Sequence, residues 1–457
     1  MGCAGSAITT RMKQAATAPT VSPRAIALDL LDRVLEQKRP LEEAFERHPD
    51  LASLENRDRQ FVRALTAGTL RHLARIDGVL SLCLERPLPD RAHQARDLLR
   101  LGAAQLLVLN TPAHAAVDST VSLAAGLGSA AAGYKGLINA VLRRIDREKA
   151  TFLANVPPGA ASLPDWLWES WSQAYGKERA TAMADAVLHE APLDLTVKRA
   201  DEIAPWAEAL HAEILSGGTL RFQPQADGER RASIPDLPGY AEGAWWVQDF
   251  AASLPVKLLG DVVGKRVLDL CAAPGGKTAQ LAAAGAEVTA IDRSADRLKR
   301  LEQNLARLNL SARCEAADAA AWSGAKDFDI VLIDAPCSAT GTMRRHPDVA
   351  WLKDPRDLPK LNGVQDRLID AALRLAKPGG TVLYCVCSLQ PEEGRARIEA
   401  ALRRHAGVAC APFENGDVFG MSELLTQEGD LRTLPCHLGD KGGMDGFYAA
   451  RLVKDGR

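Results

Sequence analysis

The chain has 457 residues, 47% hydrophobic and 25% charged, the composition of an ordinary globular protein of two or three domains. A net charge of -2 gives no overall nucleic-acid signature, yet residues 1–150 carry 21 Lys and Arg against 16 Asp and Glu, leaving an excess of seven negative charges on the remainder. Nine cysteines without framework spacing exclude a secreted disulfide scaffold.

Residues 1–21, rich in Ala, Thr and Ser, read as a disordered tail. Arg11 and Lys13 precede no apolar stretch, so no signal peptide is expected, although Met1–Ser6 formally fits a myristoylation pattern. From Ser22 and Pro23, suited to an N-cap and a first helical position, the period turns helical, with Ile26, Leu30, Leu31, Val34 and Leu35 on one face. Asp58–Arg75, Ala92–Leu109, Pro112–Ala125 and Tyr134–Arg147 follow as amphipathic stretches without an intervening strand, so residues 22–148 predict an all-α bundle. Leu101–Leu109 is too short to span a bilayer, and a cytoplasmic protein without membrane contact is expected. Arg57, Arg59, Arg63, Arg71 and Arg75 recur along one stretch and form either an RNA-facing stripe or a solvated face.

Asn155–Gly159 reads as a linker. Residues 164–260 predict a small α+β piece, with helices over Trp166–Tyr175 and Glu178–His189 and strands over Leu193–Lys198 and Thr219–Phe222. Trp245 and Trp246 either stack a base or, the reading preferred, fill a core. From Lys265 the pattern changes. Apolar runs at Arg266–Leu270, Glu287–Asp292, Phe328–Asp334 and Gly380–Val386 alternate with helices at Thr278–Ala284, Ala295–Leu308, Val364–Ala376 and Pro391–Arg404, which predicts a doubly wound parallel sheet. Gly446–Val453 adds a late strand.

Such a sheet gathers its ligands beyond the carboxyl ends of its strands. There the loop Cys271-Ala272-Ala273-Pro274-Gly275-Gly276-Lys277 joins strand to helix, and its glycines and helix N-terminus favour an anionic group. It has neither the dinucleotide nor the Walker spacing. Asp292, ending the second strand, is placed for ribose hydroxyls, and Asp318, after the third, for an adenine edge or a helix cap. Together they favour an adenosine-bearing cofactor without pyrophosphate, and S-adenosylmethionine fits. Asp334 and Cys337 follow the fourth strand, and Cys385 and Cys387 end the fifth; Cys387 lies nearer the crevice. A thiol beside such a cofactor points to covalent group transfer. Cys385-x-Cys387 with Cys337 offers no clean zinc pair, so no metal is expected. Lys277 either contacts Asp334 or the base, or lies at the surface, and Arg344, Arg345 and His346 sit in a loop placed to cover the site and grip phosphate.

The blocks Asp269–Thr278, Asp334–Ser338 and Tyr384–Ser388 resemble the cofactor, "PC" and "TC" motifs of the RNA cytosine-5 methyltransferase family. Leu101–Ser122 and Gly133–Arg144 resemble a NusB-type RNA-binding domain, and the combination is similar to the family's bacterial Sun/Fmu group. The resemblance implies a NusB-like bundle over residues 22–150, a small α+β piece over 164–260 and a Rossmann-like class I methyltransferase domain over 261–457. It implies methylation of cytosine C5 in 16S rRNA, conventionally position 967. Cys387 matches the nucleophile that adds to C6, and Cys337 the second cysteine that assists proton removal and product release. Asp334 is placed to meet the cytosine N3/N4 edge or steady the site; Val386 stands where the family usually has Thr. The expected partner is 16S rRNA, naked or in an early small-subunit particle, met by a monomer. Methylation of tRNA or another rRNA cytosine, and a non-catalytic RNA-binding regulator, are the alternatives.

Overall fold

The computed structural model describes residues 22–222 and 233–456; the expected tail and its myristoylation pattern lie outside them. Apolar residues at helical spacing bury one face of each early helix. Pro23–Leu35, Asn56–Arg71, Leu73–Cys83, His93–Leu107, Ala113–Gly126 and Lys135–Asn155 close around Leu30, Leu31, Val62, Leu98 and Leu142, all without solvent contact. The helix expected over Asp58–Arg75 is two helices, because the backbone leaves helical geometry at His72 (φ -104°, ψ 13°). The last helix continues past Arg147 to Asn155 across a kink at Glu148, which moves the expected linker to 156–159. Ser22 precedes the first helix in extended geometry, with Pro23 at its start, but gives it no side-chain cap.

Helices Asp165–Tyr175 and Lys177–Ala186 lead into a four-stranded antiparallel sheet. Its strands are β1 (Leu193–Val197), β2 (Glu213–Ile214), β3 (Leu220–Phe222) and β4 (Trp245–Val247), in the order β2-β3-β1-β4. Trp245 is fully buried against Leu195 and Leu220, and Trp246 is nearly so: both pack in cores.

The larger sheet contains β5 (Arg266–Leu270), β6 (Glu287–Asp292), β7 (Arg313–Ala316), β8 (Phe328–Asp334), β9 (Ala376–Val386), β10 (Val408–Cys410), β11 (Leu431–Thr433) and β12 (Phe447–Lys454). Its order is β10-β12-β9-β8-β5-β6-β7, with β11 paired to β12. β5 to β9 are parallel, and the Val, Ile and Leu runs of β5, β6, β8 and β9 are buried because helices cover both faces. The sheet is nevertheless mixed rather than wholly parallel. β12 enters from β11 through a loop instead of a crossover helix, and pairs antiparallel with β9. β5 lies between β8 and β6, so the chain order reverses at its carboxyl end and opens a crevice there.

The arginine stripe divides: Arg71 and Arg75 are spent on internal carbonyls, and Arg57, Arg59 and Arg63 stay at the surface. Arg71 donates to the carbonyl of Arg344 at 2.7 Å, Arg75 to that of Val156, and Arg63 pairs with Glu42; Arg57 and Arg59 remain exposed. Trp351 Nε1 donates to the Leu70 carbonyl at 2.9 Å and the Leu41 N–H to Asp348 at 2.9 Å. The helical bundle is thereby fastened to the segment after β8. Among the described residues no helix is long and apolar enough to cross a membrane.

Candidate active site

The β5–helix turn is shaped by backbone demands. Gly275 has φ +105° and caps the helix Gly276–Ala283, and a Cβ there would meet Leu301 Cγ at 2.7 Å, so only glycine fits. The first N–H groups of that helix have no acceptors within it and face the crevice side of the sheet. Asp292 holds the turn in place: Oδ2 accepts from Ala273 N at 3.1 Å and Oδ1 from Ser294 N at 2.9 Å, with Arg297 Nη1 3.4 Å away. Each of its oxygens keeps a further lone pair. Asp318 is exposed after β7 and accepts from Ala320 N at 3.0 Å. Asp292 thus touches the turn and Asp334 shares a cavity with Gly275 and Gly276, whereas Asp318 contacts only its own loop and, like Asp292, does not line that cavity; the glycine turn with an acceptor carboxylate at the end of β6 fits S-adenosylmethionine. Burial pushes the Cys271 thiol up to about 12, with Asp334 and Asp292 adding to it, which makes this cysteine unreactive.

Lys277 turns inward. Its ammonium lies 2.8 Å from Asp334 Oδ2 and 4.8 Å from the centre of the Phe447 ring. Burial works to lower its pKa, but Asp334 and the thiols of Cys385 and Cys387 outweigh that and raise it, so the charge persists. The surface alternative for Lys277 is excluded.

The two motif cysteines meet: Cys337 Sγ and Cys387 Sγ are 3.5 Å apart. Contact with Cys387, then burial and nearby Glu393, push the Cys337 thiol well above its ordinary range, so it keeps its proton. Cys385 is fully buried, donates to the Ile333 carbonyl at 3.2 Å, and is held protonated by burial. Two residues along the strand, Cys387 lines a cavity of about 390 Å³ and Cys385 does not. Lys277, Asp334, Gly275, Gly276, Arg345 and Phe447 share that wall.

Glu393 ties both cysteine segments together, and sequence reasoning missed it. Its carboxylate, fully buried, accepts from Ser338 N at 3.0 and 3.1 Å, from Ser338 Oγ, from Ser388 Oγ at 2.6 Å and from Gln365 Nε2 at 2.9 Å. Each serine directly follows a motif cysteine. Gly341 completes the lacing: its N–H donates to the Cys387 carbonyl at 3.0 Å, and a Cβ would lie 1.8 Å from Gly446 O.

The loop expected to grip phosphate does not do so as a unit. Arg344 is buried and donates to the Gly442 carbonyl. Arg345 lines the cavity but is held by buried Asp445, whose carboxyl burial pushes up to about 6. Burial and the Arg345 charge lower the pKa of His346. Among the described residues no group of three or more His, Cys, Asp and Glu could hold a metal ion.

Two family models match the chain: "16S rRNA methyltransferase RsmB/F" over residues 256–453 and "NusB family" over 21–147. A protein of Erwinia tasmaniensis named ribosomal RNA small subunit methyltransferase B is 36% identical over 443 residues, covering 94% of this chain and 98% of that one. A protein of the same name from Pseudomonas putida is 38% identical over 446 residues, covering 95% and 99%. In fold, the chain resembles the solved protein PH0851 with a TM-score of 0.71 at 21% identity, covering 95% of this chain and 99% of that one.

Proposed function

The chain belongs to the ribosomal RNA small subunit methyltransferase B family of S-adenosylmethionine-dependent rRNA methyltransferases, and on that premise we propose that it methylates C5 of a 16S rRNA cytosine, conventionally position 967, through a covalent Cys387–C6 bond. The single observation that carries the residue assignment is the 3.5 Å contact between Cys337 and Cys387, of which Cys387 opens onto the cavity.

S-adenosylmethionine, when bound, supplies a methyl group made electrophilic by its sulfonium. Ala272, Ala273, Pro274, Gly275, Gly276 and Lys277 would hold it, with Cys271 shaping the turn and Asp292 and Asp318 taking the adenosine. The Cys387 thiolate adds to C6 of a cytosine turned out of its stack, which gives C5 the electron density it lacks in the intact ring. As the sulfur adds to C6, the thiol proton of Cys387 passes to N3 by way of Asp334. Asp334, the acceptor half of the Lys277 ion pair, then accepts hydrogen bonds from the N4 amino group and N3–H, and carries the N3 proton off to water once the ring is methylated. Lys277, itself buried, keeps Asp334 oriented and offsets its charge. Cys337 takes the C5 proton while handing its own to the departing Cys387 sulfur 3.5 Å away, so the C6–S bond breaks, Cys387 returns to the thiol and the aromatic ring is restored. The protein acts as a cytoplasmic monomer on 16S rRNA that is naked or in an early particle.

The test is methyl transfer from labelled S-adenosylmethionine to unmodified 16S rRNA, read by bisulfite sequencing with Cys387→Ala as control. One protected cytosine that disappears in the variant is expected. Transfer to tRNA alone would keep the chemistry and replace the substrate; RNA binding without transfer to any RNA would leave a regulator.

A further inference from the structure

The cavity that Cys387 opens onto has wall beyond the cofactor turn (Ala272, Pro274, Gly275, Gly276) and the groups that would meet the target base. Cys387, Lys277, Asp334 and Phe447 form the reactive part. The same cavity is also lined by Ile234, Tyr240 and Val247 from the small α+β region and by Asn304 and Arg307 from the helix Ala295–Leu308. Among the described residues seven large apolar side chains are exposed, and two of them, Ile234 (36%) and Val247 (45%), sit on this wall.

Beside them stands a planar shelf. The Arg307 guanidinium lies 4.1 Å from the centre of the Tyr240 ring, and its Nη1 donates to the carbonyls of Tyr240 at 2.8 Å and Trp245 at 3.2 Å. Its Nε is buried without a partner. Asn304, three residues earlier on the same helix face, is exposed and presents both an amide donor and an acceptor. Apolar contact, an aromatic ring, an immobilised guanidinium plane and a free amide are what an unstacked RNA base requires.

We propose that this wall is a second nucleobase subsite, which takes the nucleotide adjacent to the target cytosine. It rests on the methyltransferase reading above and extends it. Turning the cytosine out of the helix leaves its neighbour without a stacking partner. Tyr240, Arg307 and Val247 replace that partner, and Asn304 meets the base edge.

The test uses the full chain and an RNA fragment containing the methylated cytosine, intact or with an abasic residue immediately 5′ or 3′ of it. For the wild-type protein, one abasic RNA raises KM for RNA about tenfold, equivalent to about 1.4 kcal/mol, with kcat within about twofold. The double variant Val247→Ala/Asn304→Ala, at two exposed positions, raises KM for the intact RNA by a similar factor, leaves KM for S-adenosylmethionine unchanged, and is indifferent to that abasic position. Equal handling of all three RNAs by the wild type overturns the subsite. So does a variant whose KM rises for S-adenosylmethionine instead, which would give this wall to the cofactor. Absence of transfer by the wild type to intact RNA overturns the methyltransferase reading itself, and is told apart because no variant or abasic RNA is needed to see it.

Discussion

Glu393→Gln is the sharpest probe of how the thiol pair is held. The substitution keeps shape and replaces one oxygen with a two-proton donor. If the amide nitrogen takes the Oε1 position, it opposes Gln365 Nε2 and the Ser338 N–H, both already donors. If it takes the Oε2 position, Ser338 Oγ and Ser388 Oγ must both turn to accept, although Ser388 Oγ already accepts from Gln390 N at 3.0 Å. Either arrangement forfeits one or two hydrogen bonds to a charged group, each worth roughly 1.5–3 kcal/mol, so a loss of about 1.5–6 kcal/mol in stability is expected. The catalytic effect is separate. The serines immediately follow Cys337 and Cys387, and a misplacement of about 1 Å at reacting atoms costs on the order of 100-fold. Steady-state methyl transfer, measured at a temperature where circular dichroism shows the variant folded, should therefore give kcat reduced about 100-fold with both KM values within about twofold. A lowered unfolding midpoint with kcat within about threefold of wild type would refute the positioning role and leave Glu393 a stabilising residue only.

Cys337→Ala should accumulate a denaturation-resistant protein–RNA adduct visible as a shifted band on a denaturing gel, whereas Cys387→Ala and the double variant should show none; an adduct persisting in Cys387→Ala would reassign the nucleophile. Asp269, fully buried and with Oδ1 unpartnered, titrates at about 7 in the fold, raised chiefly by burial, against about 3.9 in an unfolded chain. The folded state therefore binds the extra proton between about pH 4 and 7, and stability contributed at this group falls as pH rises through that window, by at most about 1.4 kcal/mol per unit. Asp269→Asn should remove this dependence, so its stability relative to wild type in denaturant titrations improves from pH 4 to 7 and levels off above; a parallel offset at all pH values contradicts the assignment. Arg71→Ala should loosen the helical bundle, making the 156–164 segment more sensitive to limited proteolysis and lowering kcat, while the salt dependence of RNA affinity stays unchanged. A salt slope reduced by about one would return Arg71 to phosphate contact.

β5, β6 and β8 are legible residue for residue because strands covered on both faces spell continuous apolar runs. β7 (Arg-Cys-Glu-Ala) has no such run, since it lies at the sheet edge and is half-exposed. The break at His72 is invisible to periodicity, because both helices keep the same apolar spacing across it. The two cysteine motifs and the glycine turn stand out by residue type and order. Glu393 does not: in Pro391-Glu392-Glu393 it reads as an ordinary helix start, and only the fold brings Ser338 and Ser388 to its carboxylate. The arginines at 71 and 75 fail for a related reason. A sequence places them on one helix but does not say whether that face meets phosphate or a neighbouring domain's carbonyls.

The antiparallel insertion of β12 also sets a timetable. Val386, one residue before Cys387, pairs with Tyr448, 62 residues further along the chain. At roughly 5–20 residues per second, a ribosome needs about 3–12 s between making the two. Through that interval β9, which leads into Cys387, is a bare hydrophobic edge, open to any other extended segment. Slowing translation within 387–446 should therefore lower the yield of folded enzyme without altering one residue of it.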